Sequence, residues 1–378
     1  MSIFSTVERT NDSPKARKES SFEFLDRASW PIVNYFRDLI DIWLIPFLGD
    51  NEFISKFKSK DDKQHYGALF ELLVYRILSY QNNYSIQKHP LTKTGKQPDY
   101  KIVNLDNGDS VYFECTLSSD SFDDIATKSK TASIEEIIDS LEYFDFWVSI
   151  DVITHSNKSL PKRTLINWIK LTADTIRNQY KSEAYWKAKF KYEEWLIEFT
   201  FIAKNETSIK RTLGFTSGGV KMIDTVKPIR NALKDKAPGK YGISNESYVI
   251  CLSTSDQFVK EECCFEALFG QGDINRISKR YSREGLLLQN GLERNTSITA
   301  VLSFLNFDIF TLSSCKIALW NNPFAKSSLN NIKLPFNEYR YKGDENELSR
   351  EVVMSSIDIF DVLDINKEMY ENTLRTHK

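Results

Sequence analysis

Histidine and cysteine are scarce in this 378-residue chain, which has four of the first and five of the second. The histidines stand far apart, at positions 65, 89, 155 and 377, so a histidine-rich metal site is not expected. The cysteines (Cys115, Cys251, Cys263, Cys264 and Cys315) are odd in number, sit among apolar neighbours and form no C-x-x-C pair. That pattern argues against a zinc site and for reduced thiols in a cytoplasm. No apolar run approaches the roughly 18 residues that a membrane helix needs. The longest candidate, Leu39 to Gly49, is interrupted by Asp41 and Pro46, and the polar start does not read as a signal peptide. No membrane partner is therefore expected. There is also no G-x-S-x-G elbow, H-E-x-x-H pair or dinucleotide fingerprint.

What is present is ordinary globular material, 41% apolar and 27% charged, long enough for about two domains and a core that needs no disulfides. The net charge is only −2, but it is unevenly spread. From His155 to Lys240 there are 18 Lys and Arg against 8 Asp and Glu, whereas from Glu338 onward there are 6 against 10. A basic middle suits a binder of phosphate backbones, because each neutralised phosphate releases counterions. It is equally the composition of lysine-rich surface helices.

Periodicity predicts helix from Trp30 to about Lys58, broken at Pro46, and one strongly apolar helix from Asp62 to Tyr80. Strands are predicted within 86–117 and at 144–153, 195–203, 248–253, 298–304 and 316–320. Helices at 125–141, 161–180, 220–236 and 261–269 separate them. The expected class is α/β (α+β), a central mixed sheet flanked by helices with an N-terminal helical elaboration. Residues 1–20 read as disordered, 21–61 as helical, 62–335 as one α/β domain and 336–378 as an acidic tail or helix.

Chemistry is concentrated between Pro98 and Thr116. Asn107-Gly108 between two β-prone runs signals a hairpin, and a turn centred there places Asp99 opposite Thr116 and Lys101 opposite Glu114. Alternation then gathers Asp99, Lys101, Glu114 and Thr116 on one face and Tyr100, Ile102, Val111, Phe113 and Cys115 on the other, apolar face. Asp99 and Glu114 become diagonal neighbours, roughly 7–8 Å apart, a distance that one oxygen-loving divalent cation can span. Glu71 is the only charge in the run Gly67–Val74. It either points to solvent from a helix edge or, if buried, requires a partner such as a cation.

A helix bearing Glu71, the Pro98-Asp99 pair opening a strand, and Glu114-Cys115-Thr116 closing the next one resemble the PD-(D/E)XK nucleases, the restriction-endonuclease-like superfamily. The resemblance covers about residues 62–154, with the predicted helix at 125–141 and strand at 144–153 completing an αβββαβ core. It implies a Mg²⁺-dependent nuclease, with Mn²⁺ as a substitute ion. The metal would sit on Asp99 and Glu114 with support from Glu71. The implied partner is nucleic acid, DNA ahead of RNA, and a homodimer would suit duplex cleavage. A role in prokaryotic defence against foreign DNA follows only by analogy.

Thr116 stands where that family usually has a lysine that orients water and stabilises charge on the phosphate. Lys101, on the same face, is the first candidate to replace it, although it is equally a solvated strand residue. Lys128 and Lys130 are others. Loss of the motif lysine also supports a rival reading, a nuclease fold that binds nucleic acid without turnover; a third reading is an interaction or regulatory protein whose basic middle meets an acidic partner. Gly214–Gly219 lacks the P-loop ending and reads as a connection. Trp168, Tyr185, Trp186 and Trp195, interleaved with bases, either stack nucleobases or fill a core.

Overall fold

The computed structural model describes residues 2–375 apart from 17–18, 119–121, 143, 155, 157, 180–184, 206–209, 215–223, 255–258, 281–283, 330–331 and 344–346, and apart from the side chains of 122–129 and 179. The chain folds as two units, one made of 1–119 with 224–378 and the other of 120–223. The expected single α/β span of 62–335 is thus divided by an inserted segment.

The larger unit begins with four helices, α1 (Ser21–Arg27), α2 (Pro31–Trp43), α3 (Asn51–Phe57) and α4 (Asp62–Ser79), followed by strands β1 (Tyr84–Lys88), β2 (Tyr100–Asn104) and β3 (Ser110–Leu117). Pro31 opens α2, where its fixed φ is already helical and its missing N–H costs nothing. The predicted break at Pro46 falls between α2 and α3, in a single 3₁₀ turn over Ile45–Phe47. Asp61 caps α4 by accepting the Lys63 N–H. Leu69, Phe70, Leu72, Leu73 and Val74 are all buried, so α4 is apolar on nearly every side and lies inside the core.

The inserted unit carries α5 (Phe122–Asp139), β4 (Phe146–Thr154), α6 (Lys162–Gln179), β5 (Trp186–Tyr192) and β6 (Trp195–Ala203). Its strands form a separate antiparallel sheet in the order β4-β6-β5. Leu165, Ile169, Ala173 and Ile176, the apolar stripe of α6, share a core with Phe190, Trp195, Ile197, Phe199 and Phe201. Trp168 lies 5.2 Å from the Phe190 ring and 5.0 Å from Phe199. Trp195 is thus a core residue, Trp168 and Trp186 pack against that core, and Tyr185 is exposed.

The larger unit resumes with α7 (Val226–Lys234), β7 (Ser247–Thr254), α8 (Glu261–Phe269), β8 (Arg276–Ser278), β9 (Leu288–Gln289), β10 (Leu292–Glu293), β11 (Ala300–Leu305), β12 (Lys316–Asn321), β13 (Asn337–Gly343), β14 (Glu347–Val353), α9 (Ile359–Leu363) and α10 (Lys367–Arg375). Among the described residues its sheet has nine strands in the order β1-β2-β3-β7-β11-β12-β13-β14-β8. β2 lies antiparallel to both β1 and β3, β7 lies parallel to β3, and β11 lies parallel to β7. The fold is therefore mixed α/β, a central mixed sheet flanked by helices. Tyr248 to Leu252 are fully buried, as a central strand covered on both faces requires. One face packs on α2 and α4, the other on α7 and α8 through Ile229, Leu233, Phe265 and Leu268.

Three expectations change. The helix and strand predicted at 125–141 and 144–153 exist as α5 and β4 but belong to the inserted unit, and the strand at 195–203 is there too. On the main sheet, β3 is followed by α7 and β7. The start of the chain is not a solvated tail, since Ile3 and Phe4 are buried and the Phe4 ring stacks on Phe22 at 5.7 Å. The acidic C-terminal segment supplies two sheet strands, because Tyr339 and Tyr341 alternate with Arg340 and Lys342 and only the tyrosines are buried. The first part of the helix predicted at 220–236, and all of the glycine-rich connection after Gly214, lie outside the described residues.

Candidate active site

The hairpin that carries the acidic pair pairs Tyr100 with Phe113, Lys101 with Tyr112 and Val103 with Ser110. The turn starts two residues earlier than a tight Asn-Gly turn would, because Asn104 Oδ1 accepts the Asp106 N–H and the Gly108 N–H donates to the Asn104 carbonyl. Gly108 takes φ +79°, so the glycine is needed, while Asn107 stays outside the left-handed region. A register change of two preserves every facing assignment. It replaces the neighbours, however, bringing Asp99 level with Glu114 rather than Thr116, and Lys101 level with Tyr112 rather than Glu114.

Glu114 is 2% exposed at the centre of the sheet. Its Oε1 accepts from Lys236 Nζ at 2.5 Å and from the Tyr241 hydroxyl at 2.6 Å, and its Oε2 accepts the Asp99 N–H at 3.3 Å. Asp99 Oδ2 in turn accepts the Cys115 N–H at 2.6 Å. Glu71 stands on α4 behind them, with the Tyr100 hydroxyl donating to its main-chain carbonyl at 2.9 Å. Thr116 lies two positions beyond Glu114 on the same strand face and is half-buried.

Burial, with Glu114 adding to it and Lys56 and Lys236 opposing it, pushes the Glu71 carboxyl up to about 7. Burial, then the charges of Glu71 and Glu114, raises Asp99 well above the usual carboxylate range. Burial works against the Lys236 ammonium, but Glu114 and Asp99 outweigh it and hold its pKa above that of a free lysine. The Tyr241 phenol is raised by burial and by Glu114, which keeps it a hydrogen-bond donor. Three acids thus share one field with too little positive charge to compensate all of them. Among the described residues, no three His, Cys, Asp or Glu side chains are grouped so as to hold a metal ion by themselves.

Of the expected site residues, Glu71, Asp99, Glu114 and Thr116 belong to this region. Lys101 does not reach the acids through the expected pairing with Glu114; its ammonium lies 4.9 Å from the Tyr112 ring centre. The Lys128 side chain is outside the described residues, and Lys130 belongs to the inserted unit. The cation that meets Glu114 is Lys236, 122 positions away in sequence, which sequence reasoning missed. Lys236 follows the last turn of α7, just ahead of the 3₁₀ turn Pro238–Tyr241, and Gly242 closes that turn with φ +69°. One helix ending therefore supplies both the ammonium and the phenol on Glu114.

All five cysteines are free. Among the described residues no helix is long and apolar enough to cross a membrane. Comparison with family models, with curated proteins and with solved structures finds no match for this chain.

Proposed function

We propose that this chain is a metal-dependent phosphodiesterase of the PD-(D/E)XK kind that hydrolyses nucleic acid. The observation that carries the reading is the set Asp99, Glu114 and Lys236, two acids and a lysine with Glu114 buried and the other two half-buried, at the junction of β2, β3 and the end of α7. The helix α4, the strands β1–β3, then α7 and the parallel strand β7 follow the αβββαβ order of that superfamily's core. On this reading the inserted unit interrupts the core between its third strand and its second helix.

Lys236 stands in for the lysine that Thr116 lacks. An ammonium has donors to spare beyond the one given to Glu114, and these are available to a phosphoryl oxygen or to the attacking water. Tyr241 holds the Glu114 carboxylate in one rotamer. Asp99 and Glu114 fit a hard divalent ion, because they offer only oxygen, and their mutual repulsion, with that of Glu71, is relieved by added positive charge. Mg²⁺ commonly uses one or two protein carboxylates and keeps its waters, which suits a site offering Asp99 and Glu114. When bound, Mg²⁺, or Mn²⁺ in its place, supplies Lewis acidity toward water and the phosphoryl oxygens.

A polyanionic partner is supported by the loop that leads into Asp99. It exposes Lys93 and Lys96, and its Thr94 hydroxyl donates to the Lys240 carbonyl at 3.3 Å. These cations edge an acidic site, the charge pattern expected for holding a strand over bound metal. DNA is favoured over RNA on the family analogy alone, and defence against foreign DNA rests on the same analogy. A cytoplasmic setting suits five free thiols.

One observation favours the rival reading, a binding module without turnover. The contacts on Glu114 Oε1 already satisfy a carboxylate oxygen that a catalytic ion would use. Incubation with supercoiled, linear and single-stranded substrates in Mg²⁺, Mn²⁺ or EDTA separates the two. Cleavage that needs the metal and disappears in Asp99→Asn and Glu114→Gln supports the enzyme. Salt-dependent binding without cleavage supports the module.

A further inference from the structure

A second feature of α7 lies away from the carboxylates. A cavity of about 950 Å³ opens against this helix, and none of Glu71, Asp99, Glu114 or Lys236 lines it. Lys227, Arg230 and Lys234 do, at the i, i+3, i+7 spacing that places them along one helix face, with Arg294 contributed by the chain beyond β10. Ile229 and Leu233, on the other side of α7, are buried. The basic face is therefore a deliberate outward stripe on a helix that is well anchored.

The opposite wall is rigid. Gly285 lies so close to the main chain of Phe269 and Gly270 that an added Cβ would come within 2.6 Å of both. Leu286 and Leu287 donate their N–H groups to the last turn of α8, at 2.9 and 2.7 Å. Glu284, a lining residue, adopts left-handed backbone at φ +53°, a conformation that a glutamate holds only where the surroundings impose it.

Arg230 ion-pairs with Glu284 at 3.2 Å, yet its Nε is buried with no hydrogen-bond partner. A guanidinium carries five N–H donors, so Arg230 keeps donors beyond the contact to Glu284. From Lys227 to Lys234 the cations extend over about 10 Å of helix, more than one carboxylate can use and suited to successive phosphates. The amides of Asn231, Gln289 and Asn295 and the carboxylate of Glu266 offer donors and acceptors of the kind that bases and ribose hydroxyls require.

We infer that this cavity is a nucleotide-binding site, with the phosphates on Lys227, Arg230, Lys234 and Arg294. The ligand is either a free nucleoside polyphosphate or a nucleotide within a strand, and the assignment does not depend on hydrolysis at Glu114. The test measures fluorescence anisotropy of the full chain in EDTA with two probes, a fluorescent ATP analogue and a labelled single-stranded DNA of about eight nucleotides. At least one probe should bind saturably, and Lys227→Ala/Lys234→Ala should weaken it about tenfold or more. The unfolding midpoint should not change, because both lysines are exposed. Binding of the ATP analogue assigns a free nucleotide; binding of the DNA alone assigns a strand. Asp99→Asn should bind as the parent does. The inference is overturned if neither probe saturates, if the double lysine variant binds like the parent, or if Asp99→Asn loses as much affinity as the lysine variant.

Discussion

Replacing Lys236 with methionine keeps the length and most of the packing of the side chain while removing its charge. The Glu114 carboxylate would then be buried with only the Tyr241 hydroxyl and one long backbone contact. Breaking a buried ion pair by deleting one partner costs about 3–5 kcal/mol. Lys236 keeps 28% of its side-chain surface in water and Tyr241 still donates, so about 2–3 kcal/mol is expected here. Glu114→Gln should cost less, about 1–2 kcal/mol, because the freed ammonium can turn to solvent. The double variant should be more stable than the two single losses combined would imply, with a coupling of about 1–2 kcal/mol. Urea titrations of the four proteins at pH 7 give these values directly. Two single losses of about 0.5 kcal/mol or less that simply add would refute the reasoning, since Glu114 would then not depend on Lys236 for its charge.

The raised carboxyls of Glu71 and Asp99 make a pH prediction. Both hold protons more tightly folded than unfolded, so their contribution favours the folded chain at low pH and is lost as pH rises from the ordinary carboxylate range through about 7 for Glu71. Urea midpoints of the parent should therefore fall relative to those of Glu71→Gln across that window; a constant difference would contradict the assignment. Added Mg²⁺ should reverse part of this decline, by about 1.4 kcal/mol at an ion concentration tenfold above its Kd. Differential scanning calorimetry should show that gain vanish in Asp99→Asn/Glu114→Gln. Gly285→Ala should lower stability by at least about 1–3 kcal/mol, because the new methyl group meets main-chain atoms that cannot yield; an unchanged midpoint would show that the wall is soft.

Local pattern made much of this architecture legible. The apolar run of α4, the break at Pro46 between α2 and α3 and the alternation in β2 and β3 each reflect forces acting within a few residues. So did the face shared by Asp99, Glu114 and Thr116, which survived a register error because the error was of two residues and a strand repeats every two. Which residues stood opposite one another did not survive. That depended on whether the turn began at Asn104 or Asp106, a choice made by the Asn104 side-chain hydrogen bond. The tyrosines of β13 were hidden in a stretch whose acidic count drew attention away from its alternation.

The partner of Glu114 was beyond any local reading for a different reason. A buried carboxylate in the middle of a mixed sheet can be compensated from either face and from any segment that crosses it. The nearest lysines in sequence, Lys101 among them, carry no preference over distant ones. What selects Lys236 is topology. β7 lies parallel to β3, and a parallel neighbour requires a crossover that returns the chain to the same end of the sheet. Here the second half of that crossover is α7, packed on the sheet by Ile229 and Leu233. Its C-terminal end must be near the start of β7, and β7 is bonded to the strand that holds Glu114, with Glu114 level with Ile250. Once α7 rather than α5 is recognised as the helix preceding the parallel strand, a lysine at its end becomes the natural counter-ion, and the threonine at position 116 no longer leaves the site without one.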